Sequence, residues 1–113
     1  MTAVYLTLSS EGLLYSCKAE GHSEYAEKGN DIVCAALSIL MRTALQVLSE
    51  TKGLQVVSNT ALRGIISFSV KQIEFSSAVN AKLEYAGDFL EKGFSSLAKE
   101  YPANVKLYKQ SEA

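Results

Sequence analysis

The chain has 113 residues, 48% of them hydrophobic and 20% charged, with a formal net charge of −1. That length fits one domain, residues 1–113, able to bury a core without disulfide or metal staples. The balanced charge offers no basic field to draw in DNA or RNA, so no direct nucleic-acid binding is expected, and two cysteines with one histidine lack zinc-type ligand spacing, so no metal and no cofactor is expected.

The opening MTAVYLTLSS lacks the charged start and long apolar run of a secretory signal. Val4, Leu6 and Leu8 alternate with Tyr5, Thr7 and Ser9, which predicts a first strand. Glu11-Gly12 turns the chain into a second strand. There Leu13, Tyr15, Cys17 and Ala19 share an apolar face and Leu14, Ser16, Lys18 and Glu20 a polar one, so the pair reads as a hairpin. Cys17 thereby belongs to the core.

A polar loop follows over residues 21–31, with Gly21 and Gly29 at its ends, and Asp31 is placed to cap an apolar helix from 32 to about 50. Val33, Ala36, Leu37, Leu40, Ala44 and Leu48 have helical spacing and should face the sheet, while Cys34, Ser38 and Arg42 line a different stripe. The apolar-rich run 32–41 contains Ser38 and is too short to span a bilayer, so no membrane partner is expected. Lys52-Gly53 stops the helix.

Residues 54–59 and 65–75 read as two further strands, the second turning Ile66, Phe68 and Val70 inward. Val79, Leu83, Ala86, Leu90, Phe94 and Leu97 form one stripe of a long helix over about 76–100, weakened by Gly87 and Gly93 and ended by Tyr101-Pro102. Residues 105–109 make a short last strand, and the final QSEA reads as a frayed tail. The expected class is α+β in ββαββαβ order, a largely antiparallel sheet with two helices packed on one face.

The chemistry concentrates in GHSEYAEKGNDIVCAALSIL, residues 21–40, which holds the only histidine and one of the two cysteines. A thiolate nucleophile needs a base beside it and a means of holding negative charge. Cys34 in the first turn of the helix and His22 in the loop before it would supply both. A helix start stabilises an anion by about 2 kcal/mol at most, whereas an imidazolium neighbour acts far more strongly. Asp31 either caps the helix or orients His22 as the third member of a triad, and free first-turn N–H groups could meet an oxyanion. The bland alternatives stay open: a core cysteine, a solvated histidine, and Ser38 as a small helix residue.

The order of these residues narrows the choice. Gly21-His22, then Gly29, then Asp31-Ile32-Val33-Cys34-Ala35-Ala36 and Ser38, with twelve positions from His22 to Cys34, resembles the motif of the ribosomal-processing cysteine proteases, the Prp or YsxB-like family. The resemblance implies a cysteine endopeptidase that removes the N-terminal extension of a bacterial large-subunit ribosomal protein, number twenty-seven, in support of ribosome maturation. It implies His22 as general base and Cys34 as nucleophile. Asp31 becomes a third member or helix cap, with Gly21 and Ser38 as supporting motif positions. It further implies a cytoplasmic homodimer with the extended ribosomal protein as peptide substrate. Two other classes compete: a non-catalytic ribosome-assembly factor binding the same tail, and a thiol redox or acyl-carrier protein using Cys17 and Cys34.

Overall fold

The computed structural model describes residues 1–21, 28–59 and 65–112, with residues 28–31 described by their backbone alone. Its elements run β1 (Thr2–Leu8), β2 (Leu14–Gly21), α1 (Lys28–Ser49), β3 (Leu54–Asn59), β4 (Ile65–Gln72), α2 (Ser77–Glu100) and β5 (Val105–Ser111). The strands form one sheet in the order β3-β4-β2-β1-β5. Every pairing is antiparallel except β1 with β5, which is parallel. The expected α+β architecture and element order are therefore those of the molecule.

The hairpin between β1 and β2 is built on Ser9, whose hydroxyl accepts the N–H groups of Glu11 and Leu13, and on Gly12 at φ 82°. A positive φ of this kind is open to glycine at little steric cost. Strict alternation fails just beyond it. Thr7 pairs with Ser16 but Leu8 pairs with Leu14, so Tyr15 is the extra residue of a β-bulge. The bulge reverses the inside and outside of the strand: Leu14 is buried at 2% exposure and Tyr15 stands out at 40%. Cys17 and Ala19, beyond the bulge, keep the inward face and lie opposite Leu6 and Val4.

Both helices contact the sheet and each other. From α1 the core takes Val33, Leu37, Met41 and Leu48, and from α2 Val79, Leu83, Leu90 and Phe94. Ser76 caps α2 by accepting the N–H of Val79, and Tyr101 closes its other end before Pro102. The two helical glycines have a packing role. A Cβ at Gly87 would sit 3.2 Å from Leu8 Cδ2, and one at Gly93 3.0 Å from Leu40 Cδ1. The backbone thus approaches the sheet at one point and α1 at the other, which compensates their poor helix propensity.

Three boundaries differ from the sequence reading. β4 ends at Gln72 rather than at 75. β5 runs on to Ser111, because Gln110 and Ser111 pair with Thr7 and Leu8, and the Glu112 N–H then reaches the Leu8 carbonyl. The tail is held by the sheet. Most consequentially, α1 begins at Lys28, four residues before the expected first residue. The apolar period starts only at Ile32, so a polar first turn leaves no mark in the pattern. The helix is also more apolar than the run 32–41 suggested, since its window Ile32–Ser49 is long and apolar enough to cross a membrane by length and composition. Here it packs against the sheet and α2 through Val33, Leu37, Met41 and Leu48, with 22% of that window buried.

Candidate active site

β2 delivers the chain to the site at Gly21, its last residue, which pairs with Thr2 of β1. His22 follows directly and lies outside the described residues, as do the next five positions. The chain is described again from Lys28, where α1 starts. Cys34 is the seventh residue of α1. At 1.5 Å of rise per residue it stands about 9 Å along the axis from the helix start. The six residues between Gly21 and Lys28 can span up to roughly 20 Å.

The early helix start corrects two expectations. Asp31 is the fourth residue of α1 and so is not its N-cap. Cys34 is not in the first turn, and its N–H falls in the i to i−4 ladder, where helix geometry directs it to the carbonyl of Asn30. The N–H groups without a helical acceptor belong to residues 28–31. They are a turn or more below the thiol, and the charge effect of a helix end fades within that first turn. An oxyanion hole made of first-turn N–H groups beside Cys34 is therefore ruled out by position. Positions 31, 34 and 38 are spaced i, i+3, i+7 and share one face of α1.

The two cysteines are both free and sit in opposite surroundings, Cys34 exposed and Cys17 buried at 1% exposure. Burial among apolar side chains pushes the Cys17 thiol up to about 12 from an ordinary 9.0. A thiol so placed is an inert core group, and the separate settings of the two cysteines leave the dithiol redox reading without a bridge to act through.

The shift has a measurable sign. Below its ordinary pKa both folded and unfolded chains keep the Cys17 proton, and the contribution to stability is intact. As pH rises from 9.0 toward 12 the unfolded chain loses the proton while the folded chain holds it, so stability falls. The slope is about 1.4 kcal/mol per pH unit. Urea denaturation of the wild type and Cys17→Ala at about pH 8 and about pH 11 should show the wild type losing roughly 2–3 kcal/mol more across that interval.

Ser38, one turn beyond Cys34, is half-buried, and Arg42 is exposed. Among the described residues no group of three or more histidine, cysteine or acidic side chains is placed to hold a metal. Sequence reasoning did not single out Thr2, a buried polar side chain packed against Gly21. Only the pairing register brings it there, and nothing in its own neighbourhood signals it.

The family model described as cysteine protease Prp matches residues 1–106. The chain belongs to the cysteine protease Prp family. It is accordingly a cysteine protease, and the motif that suggested the family lies within the matched span. Solved structures share its fold. SMU.848 from Streptococcus mutans superposes with a TM-score of 0.77 at 22% identity, covering 99% of this chain and 96% of that one. The essential ribosomal processing protease Prp from S. aureus, solved with a substrate peptide, gives a TM-score of 0.77 at 19% identity over 97% of this chain and 100% of that one. The same S. aureus protease with a covalently linked product peptide gives 0.75 at 20% identity, with the same coverage. No curated protein sequence matches significantly.

Proposed function

We propose that this Prp-family protease removes the N-terminal extension of the bacterial large-subunit ribosomal protein number twenty-seven, with Cys34 as nucleophile and His22 as general base. The observation that carries the assignment is the contrast between the cysteines. A cysteine protease needs a thiol that a peptide can reach, and of the two in the chain Cys17 is sealed in the sheet core while Cys34 is open on α1. The choice of substrate is supported by the Prp motif and by the fold shared with a ribosomal processing protease solved with a substrate peptide.

The chemistry proceeds in two halves. His22 takes the proton of the Cys34 thiol, and the sulfur attacks the scissile carbonyl carbon to give a tetrahedral intermediate. Its collapse breaks the C–N bond as the imidazolium protonates the leaving amine, and the N-terminal fragment remains as a thioester on Cys34. Water, deprotonated by the same imidazole, then cleaves the thioester and restores the thiol. Asp31, on the face of α1 that carries Cys34, is assigned to orienting His22. The protease works in the cytoplasm, where a thiol nucleophile stays reduced.

The assembly we infer is a homodimer. Val47 of α1 and Tyr85 and Phe89 of α2 are exposed large apolar side chains, and they line a groove of about 620 Å³ between the helices together with Ala44, Leu48 and Ala86. Ile39 is exposed on α1 as well. An exposed apolar groove of this kind is a candidate contact face for a second copy of the chain. Phe89→Glu should convert the species seen by sedimentation velocity from dimer to monomer. A wild type that sediments as a monomer would remove the dimer from this reading.

Mixing the purified protein with the host's N-terminally extended ribosomal protein and following intact masses tests the function. One defined cut, lost in Cys34→Ala, is the expected result. An uncut tail that stays bound to the wild type would instead support the binding-factor reading.

A further inference from the structure

The two helices divide the sheet between them. α1 packs chiefly on β3 and β4, and α2 on β1, β2 and β5. With the strands in the order β3-β4-β2-β1-β5, the flank of α1 turned away from α2 overlooks the β3 edge.

Cys34 is on that flank. Leu40 meets Gly93 of α2, and Ala44 and Val47 line the groove between the helices. At about 100° per residue, Cys34 stands roughly a third of a turn round from those three, beyond the sheet-facing Leu37. Met41 has nearly the same bearing as Cys34 and is buried, yet Cys34 is exposed.

The facing strand shows the same gap. Ser58 of β3 lies opposite Phe68 of β4. Directly opposed side chains share a face, so Ser58 turns toward the helix layer as Phe68 does. Phe68 is buried and Ser58 exposed. β3 runs back along α1 after the short connection 50–53. Cys34 lies about 22 Å before Ser49 and Asn59 about 17 Å beyond Leu54, so the thiol stands near the Asn59 end of the strand. The layers are open at one corner, with Ser58 on one wall and Cys34 on the other.

The edge beside this corner is unguarded. Proteins block free strand edges with charge or proline. The opposite edge strand, β5, carries Lys106 and Lys109, whereas β3 reads LQVVSN, without charge or proline. Along residues 55–58 alternate positions turn their main-chain N–H and C=O groups away from β4.

We propose that the scissile segment of the substrate binds as an added strand on the free edge of β3 and enters the open corner beside Cys34. The inference rests on the reading of Cys34 as the nucleophile. The occupant is an extended peptide, held by main-chain hydrogen bonds to residues 55–58 at about 4.8 Å from β3. Only every second side chain of such a strand faces α1.

The test uses the full chain and a synthetic peptide spanning the cleavage junction of the extended ribosomal protein. In Cys34→Ala, amide exchange read by NMR should slow at alternate residues of 55–58 when the peptide is added, and stay unchanged in β5. For the wild type, N-methylation of the peptide backbone should lower kcat/KM about 10-fold at alternate positions and only about 2-fold between them. Ser58→Trp should raise KM about 10-fold by filling the corner, with Tm unchanged because the site is exposed.

Protection confined to other elements, or an N-methyl profile without a two-residue period, overturns the inference while the protease reading stands. Protection of β3 that grows with protein concentration in the absence of peptide assigns the edge to a second copy of the chain, and overturns it too. A wild type that leaves the unmodified peptide uncut is a separate failure, that of the proposed function, and the inference falls with it.

Discussion

His22→Ala should lower kcat/KM for cleavage of the extended ribosomal protein by about 10²- to 10⁴-fold, the range in which a positioned general base contributes. The expectation is strengthened by where α1 begins. With Cys34 at the seventh helical position rather than in the first turn, the helix end is too far away to do much for a thiolate. On the proposed mechanism, activation of the sulfur falls to His22. The same variant should slow iodoacetamide alkylation of Cys34 near neutral pH, and Cys17 in the folded protein should remain unlabelled throughout, being buried. Peptide mapping after a short pulse measures both. Alkylation of Cys34 at the wild-type rate in His22→Ala would show that the histidine does not activate it.

Phe94→Ala should cost roughly 3–5 kcal/mol, the loss typical of emptying a buried aromatic site. Phe94 is at 0% exposure and belongs to the core shared by the sheet and both helices. Its neighbour Gly93 lies against Leu40 of α1, where an added Cβ would be 3.0 Å from Cδ1, so the two helices are already close and have little freedom to collapse into the space left behind. Against a typical total of about 5–15 kcal/mol this is a large fraction. The Tm should fall by at least about 10 °C. Differential scanning calorimetry checks the figure, and a drop of only a degree or two would mean that Phe94 is not a keystone of this packing.

The fold was legible because its apolar pattern is regular where the layers meet. Val4 and Leu6 in β1, Phe68 and Val70 in β4, and the Val79 to Phe94 stripe of α2 all face the core as their spacing requires, and Ser76 caps α2 where the pattern begins. The misreadings share one cause: period is informative only while the ladder is regular and the residues are apolar. Tyr15 is the extra residue of a bulge, which no local composition announces, and Leu14 changed sides with it. The first turn of α1 is polar and was invisible to a hydrophobic count. Gln110 and Ser111 look like tail residues and are held by pairing with β1, a partner about a hundred positions away in sequence.

The site was legible in a different way. Burial separates Cys17 from Cys34, and alternation along β2 had already assigned Cys17 to the core. The chemistry of the pair His22 and Cys34 came from motif order, since neither spacing nor composition distinguishes a base in a loop from a solvated ring. The contact of Thr2 with Gly21 needed the pairing register, because a residue at the start of the chain meets the motif only across the sheet.

The most direct measurement is to trap the acyl-enzyme. Wild-type protein is mixed with the extended ribosomal protein, quenched in acid at short times, and its intact mass read. The account predicts a transient gain equal to the mass of the free N-terminal extension less one water, mapped by digestion to Cys34 and absent in Cys34→Ala. Cleavage of the substrate with no adduct on Cys34, and undiminished in Cys34→Ala, would contradict it.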